Sequence, residues 1–567
     1  MDSVRKILTP SAVWKDFKGD LPLKDSKVNE MNYDGISYAE VYFSGREINA
    51  SRVRVYGLYA RPNPLPANRK IGAVLIMPDF CDTINLELVN HFAKMGYAVL
   101  MVDYRGNVGE STNHTIYPSE IEYANYGKED MFTVERTAKE TCWYEWACVG
   151  KYAIKYLKSR LEVDKIALVG IKQGANVGWQ MLYKEDDIAC FVSLFGAGWQ
   201  AYKGLFRSEG SDIKMTDERY RWLGGVDAHV YAQYCNCPVL YLTATNSAEF
   251  DCERGVDTIS RVKVSDKCSF NYSPRFSQTI DKKSVDDISL FLKKHLTKAG
   301  SLSDRLFFPE SPSVCLAMGD DKRSMFAEVI VAEADKVKGV TVYLSEGQAD
   351  PSKRNWVKML PVKNQDTIDH KYFKVLLGGG ADFVHAFAVV EYKNGVSVSS
   401  RMVMKKIETV PISVANMLYS SRNGIDCFTI CDEVGSSIGK IFFAESNSIE
   451  LAECANGITG ATSRYGLLTY RIVENRFTPG MRSILKGDIY CEDYTRLKVS
   501  VVISENGVCH DYYTVVELKG SKVWQNVQVS FANLKDDNRM SIKDYDNVIA
   551  VKIQAESRFA VNNLLLI

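Results

Sequence analysis

The stretch Lys165-Ile166-Ala167-Leu168-Val169-Gly170-Ile171-Lys172-Gln173-Gly174-Ala175-Asn176-Val177-Gly178-Trp179-Gln180-Met181-Leu182 decides the fold. Residues 165–169 form a short apolar run closed by glycine, which predicts a strand buried on both faces. Residues 173–182 carry helical spacing. Between them lies G-x-x-x-G. Its glycines permit a sharp turn and close helix–strand packing, so the Lys172 side chain is thrust up at the carboxyl end of the strand.

The same alternation extends outward. Residues 38–43 and 52–61 read as an antiparallel pair, and 73–77 and 97–102 as buried strands. A helix over 86–95 ends at Gly96, a natural position for a left-handed residue. Further helices are predicted over 141–157, 253–262 and 284–296, with strands at 188–195 and 238–243. Strands alternating with helices imply a doubly wound, mostly parallel sheet. After Lys298 the pattern becomes purely strand-like. Asn394-Gly395 is a hairpin signal, and residues 300–408 read as an immunoglobulin-like β-sandwich. Residues 409–567, punctuated by turns such as Glu505-Asn506-Gly507, read as a jelly-roll β-sandwich. The expected organisation is an extension at 1–35, the α/β domain at 36–299, and the two sandwiches.

The 567 residues balance 70 Lys and Arg against 70 Asp and Glu. That balance speaks against nucleic acid, since phosphate binding needs a clustered basic excess. No apolar span suits a membrane and no leader is recognised, so the expectation is a cytoplasmic protein. The 14 cysteines are scattered, some in strands expected to be buried (Cys190, Cys315), and read as reduced thiols. Cys235-Asn236-Cys237 and Cys427/Cys431 lack zinc spacing, and no metal or cofactor is expected.

With these motifs in place, the region from Ile36 to Leu296 resembles the α/β-hydrolases, in the branch of acetylxylan esterases, dienelactone hydrolases and prolyl-peptidase-like enzymes. The resemblance rests on Asp103-Tyr104-Arg105-Gly106-Asn107 with Gly109-Glu110-Ser111, on Glu140-Thr141-Cys142-Trp143-Tyr144-Glu145-Trp146, and on Pro238 to Asn246. It implies a Ser, Asp and His in that chain order. The serine position of the elbow matches Lys172. The acid position matches Ser247, and the loop Asn271-Tyr272-Ser273-Pro274-Arg275-Phe276 offers Pro274 where a histidine belongs. Serine acyl transfer needs an oxygen nucleophile, a base and an orienting group, and none has a match here.

The oxyanion region, Asp79 and Phe80 together with Gln173, departs as well: Pro78-Asp79-Phe80-Cys81-Asp82 carries acids where a negative transition state would need donors. Lys172, at a helix N-terminus, sits badly for an ammonium. It is therefore expected to pair with Asp79, Glu249 or Asp251. A Schiff-base lysine would need a depressed pKa, and the vestigial reading is preferred. Cys81 has no histidine placed by motif to activate it. Of the histidines, His91 and His295 fall on helices, and His114 and His229 in loops. Asp103 and Arg105 read as braces, Trp143, Tyr144 and Trp146 as core, and Glu185-Asp186-Asp187 as a solvated turn.

The closing stretch, Val523-Trp524-Gln525-Asn526-Val527 and Phe559 to Ile567, resembles galactose-binding-like sandwiches, which include carbohydrate-binding modules. Trp524, Tyr490, Tyr512 and Tyr513 are the candidates for stacking on sugars. Three functions follow as expectations. The first is a catalytically inactive hydrolase homologue that binds a ligand, a carbohydrate or a protein partner. The second is an active esterase-type hydrolase on acylated carbohydrate, using non-standard residues. The third is a structural or assembly protein.

Overall fold

A computed structural model describes residues 5–66, 70–106, 112–125, 131–200, 215–247, 249–297, 307–362, 365–378, 381–408, 416–431, 441–442, 449–464, 466–505 and 508–567. Asn107, Gly109, Glu110, Ser111, Asn506, Gly507, and residues 299, 300 and 409 at the expected domain limits lie outside the described residues.

Three antiparallel strands open the main sheet: β1 (Ser26–Tyr33), β2 (Ile36–Ile48) and β3 (Ser51–Pro62). β4 (Ile71–Met77), β5 (Ala98–Asp103), β6 (Val163–Ile171), β7 (Ile188–Leu194), β8 (Val239–Ala244) and β9 (Ser269–Ser273) follow and run parallel to one another. The order across the sheet is β1-β2-β3-β5-β4-β6-β7-β8-β9. The helices are α1 (Pro10–Val13), α2 (Leu86–Lys94), α3 (Cys142–Lys158), α4 (Gln173–Met181), α5 (Asp217–Gly225), α6 (Ala228–Ala232), α7 (Cys252–Ile259) and α8 (Lys282–Leu296).

Strand alternation sorts the apolar side chains into two cores. Ala73, Leu75 and Met77 of β4 and Leu168 of β6 join α3 and α4 on one face. Val74, Ile76, Ala167 and Val169 join α2 and α8 on the other. A strand covered on both sides cannot alternate polar and apolar, which is why its sequence reads as a continuous apolar run. The N-terminal half is thus a mixed sheet covered by helices on both faces.

β1 carries no apolar pattern because all eight of its residues are exposed. It nonetheless pairs with β2, inside the stretch expected as an extension. Asn271 to Ser273, expected in a loop, belong to β9. Among the expected buried thiols Cys190 is buried, but Cys315 is exposed on an outward position of its strand.

The main sheet does not stop at β9. Phe270 pairs with Ser399, and the sheet runs on through Ser397–Ser399, Phe383–Tyr392, Val337–Glu346 and Val357–Lys358. A second sheet, Ser313–Met318, Ser324–Ile330, His370–Leu376 and Leu360–Pro361, shares an apolar core with this extension. Beyond residue 416 two more sheets, of six and five strands, enclose their own core. The chain is therefore multidomain and β-rich after the helix-bearing half.

Asp287 of α8 fastens the β9 joint. Its carboxylate accepts from the Ser397 amide at 3.0 Å and from the Asn271 side chain at 2.7 Å. Burial pushes its carboxyl from 3.8 up to about 8. A raised folded pKa means that the folded state holds this proton to higher pH than the unfolded chain does. Its stabilising contribution is full below about pH 4 and is lost as pH rises towards 8. Urea unfolding is expected to show the wild type losing about 2–4 kcal/mol more than Asp287→Asn over that window. Parallel curves for the two proteins would place the proton elsewhere.

Candidate functional site

β6 enters the turn at Gly170 and α4 leaves it at Gln173. Lys172 between them has φ 51° and ψ −117°, a left-handed strain that a non-glycine residue holds only when its surroundings enforce it. The surroundings do. The Lys172 amide donates to the Leu194 carbonyl of β7 at 2.7 Å. A Cβ at Gly174 would lie 2.0 Å from the Pro78 carbonyl oxygen, and one at Gly170 would lie 2.5 Å from the Ala175 Cα. The strand–turn–helix elbow read from the sequence is present, with a lysine at its apex.

The expected ion pair of Lys172 is not formed. Among the described residues no carboxylate lies within 4.0 Å of its Nζ. That atom donates to Gln278 Oε1 at 3.3 Å and stands 5.9 Å above the Phe195 ring. Asp251 is engaged elsewhere: it caps α7 through the Arg254 amide and pairs with the Arg254 guanidinium at 2.7 Å. Glu249 accepts from Gln173 Nε2 at 3.3 Å. Burial raises its carboxyl, Asp79 raises it further, and Lys172 lowers it through space. The lysine is linked to the acids by field rather than by contact.

Asp79 has a different role from the expected one. Its Oδ1 accepts from the Phe80 amide at 2.8 Å and from the Gln173 amide at 3.3 Å, and its Oδ2 accepts from the Cys81 thiol at 3.1 Å. These two amides, one from the loop after β4 and one following the elbow apex, converge on the Asp79 carboxylate. A side-chain carboxylate of the protein itself occupies both. Asp79, Cys81 and Asp82 also bring ligand atoms within 4.8 Å of one another, but the Asp79 oxygens are already shared with these donors.

The positions expected for acid and base carry other contacts. Ser247 is buried and accepts the Phe250 amide at 3.2 Å. Pro274 follows β9, and the next residue, Arg275, has φ 69°. Arg275 reaches into the second half, donating through Nη2 to the Trp356 carbonyl at 2.7 Å. Asn246 donates to the Arg354 carbonyl at 2.7 Å. Arg354, fully buried, pairs with Glu253 of α7 at 2.6 Å. These loops and α7 are thus bonded to residues 354–356. The sequence gives no sign of this, because the partners lie about a hundred residues away.

His229 proves to lie in α6 rather than in a loop. Its Nδ1 is 2.8 Å from Asp227 Oδ1, and its ring stacks on Trp199 at 3.8 Å. No hydroxyl or thiol is hydrogen-bonded to its ring among the described residues.

The four aromatic candidates near the C-terminus separate. Tyr490 and Trp524 are cross-strand neighbours with ring centroids 5.7 Å apart, both partly exposed. Tyr512 is instead packed in the core, so its faces are not available to a ligand. The Tyr513 ring lies on the other sheet and is covered by Lys498 Nζ at 3.9 Å.

No protein-family model matches the chain, and no curated protein matches it. Solved structures similar to part of it include an acetyl xylan esterase from Paenibacillus sp. R4, at 15% identity and a TM-score of 0.39 over 52% of this chain and 98% of that one. Acetyl xylan esterase 1 from Thermoanaerobacterium sp. JW/SL YS485 gives 14% and 0.35, over 48% and 90%. A Pyrococcus furiosus esterase gives 15% and 0.33, over 49% and 99%. Among the described residues no helix is long and apolar enough to cross a membrane.

Proposed function

We propose that this chain is a non-catalytic hydrolase homologue that works by binding a carbohydrate or protein partner. One observation carries the reading: the Asp79 carboxylate occupies the two amides that would have to stabilise an oxyanion. An oxyanion-hole donor contributes about 3–4 kcal/mol to acyl transfer only when it is available to the developing charge. Here both donors already face a negative charge, and Lys172, Ser247 and Pro274 supply no nucleophile–base–acid relay. The Tyr490–Trp524 ledge, beside Asp488 and Asn526, is the surface offered for a sugar.

The test has two arms. The protein is incubated with p-nitrophenyl acetate and with a fluorophosphonate probe. Turnover no greater than that of Lys172→Ala, with no labelling, is expected; faster turnover or a labelled residue would establish an active hydrolase with unorthodox groups. The full chain is also put on a glycan array, where Trp524→Ala is expected to weaken binding at least about tenfold. If no glycan binds, the carbohydrate reading falls and a protein partner or an assembly role takes its place.

A further inference from the structure

A cavity of about 550 Å³ opens at the carboxyl end of β5. Glu40 and Tyr56 from the antiparallel strands, Asp103 and Arg105 after β5, and Asn113 and His114 of the following segment line it. Met31, Leu58, Ile84 and Leu86 supply apolar wall. A water occupies about 30 Å³ of liquid, so the space suits an organic molecule rather than a bare ion.

The charges in the wall are unequal. Glu30 is paired with Lys27. The Arg105 guanidinium, which donates to the Phe80 carbonyl, offsets the neighbouring Asp103, whose carboxyl accepts from the amides of Arg105 and Thr115. Glu40 differs from these. It accepts from the Asn113 side chain at 2.7 Å, yet no basic group lies within 4.0 Å of it among the described residues. The α2 N-terminus, whose Leu86 also lines the wall, adds about half a positive charge, less than the full charge of one carboxylate. His114 Nδ1 is buried without a hydrogen-bond partner among the described residues. The rings of Tyr38 and Tyr56 complete a negative, partly aromatic lining of the kind that holds organic cations.

We propose that this cavity binds a small organic ammonium ion with an apolar body, its charge held by Glu40 and its body against Leu58, Ile84 and Leu86. The site is separate from the elbow and does not depend on whether the elbow is catalytic.

Isothermal titration of the full chain with phenethylammonium, 2-phenylethanol and phenylacetate tests it. The three share a phenyl-bearing body and differ mainly in charge. Phenethylammonium is expected to bind at least about tenfold tighter than the alcohol, and phenylacetate not to bind at all. Glu40→Gln is expected to bring the ammonium down to the level of the alcohol while leaving alcohol binding unchanged. Met31→Trp, on the exposed strand β1, is expected to abolish both by filling the space, and it decides the matter if Glu40→Gln does not fold. Failure of the ammonium to bind up to about 10 mM, equal binding of ammonium and alcohol, or preference for the anion overturns the proposal.

Discussion

Replacing Arg354 with methionine is expected to cost about 3–5 kcal/mol, the range seen when one partner of a buried ion pair is removed. Arg354 is fully buried between α7 and the second half of the protein. Its Nη1 pairs with Glu253 at 2.6 Å, while Nε and Nη2 donate to the Gln348 and Ala349 carbonyls, each at 3.1 Å. Nη2 also lies 3.4 Å from His385 Nε2. Burial and then Arg354 hold that imidazole well below its usual range. Methionine fills the volume but leaves Glu253 and two carbonyls without the guanidinium that they face. Much of the cost is the stranded acid, so Arg354→Met with Glu253→Gln is expected to recover at least half of it. Arg354→Lys is expected to fall between, since an ammonium cannot reach all three acceptors. Urea unfolding of the four proteins gives the numbers. A loss below about 1 kcal/mol for Arg354→Met would mean that the interface is held by its apolar contacts alone.

That interface also shows where sequence reading stops. The elbow was legible because its signal is local: Gly170 and Gly174 are required by backbone carbonyls and helix atoms within a few residues or on the adjacent strand. The buried strands were legible because both faces are covered, which leaves an apolar run. β1 was not, because a fully exposed edge strand needs no hydrophobic pattern. The absence of Ser, Asp and His from positions 172, 247 and 274 was legible too. What replaced them was not. Asn246, Glu253 and Arg275 find their partners at 354 and 356, and no periodicity links positions that far apart. Lys172 illustrates the same limit. Charge alone pointed it at a carboxylate, yet its hydrogen bond goes to Gln278, a neutral side chain in the loop before α8. The aromatics near the C-terminus were legible as aromatics only; which of them faced outward depended on register, which placed Tyr512 inward and Trp524 partly outward.

Asp79→Ala is expected to cost about 2–4 kcal/mol, and the cost is expected to be relieved by a dissolved carboxylate. Asp79 is only 4% exposed, and its removal takes the carboxylate acceptor from the buried Gln173 amide and the part-buried Phe80 amide. Each unmade hydrogen bond of this kind costs about 1–3 kcal/mol. The Gln173 amide opens α4, where the helix dipole adds to the demand for negative charge. Asp79→Asn keeps an acceptor oxygen of the same reach and is expected to lose no more than about 1.5 kcal/mol. The vacated amides form a cradle for a small anion, so acetate is expected to raise the melting temperature of Asp79→Ala and to leave that of the wild type unchanged. The electrostatics shift in a defined direction as well. Asp79 holds the Glu249 carboxyl up while Lys172 draws it down, so in Asp79→Ala the Glu249 carboxyl moves back towards its ordinary value. Equal damage from the alanine and asparagine variants, with no response to acetate, would mean that Asp79 supports its loop by packing alone. The recovery by acetate, absent in the wild type, would identify these two amides as an oxyanion cradle that the protein fills with its own side chain.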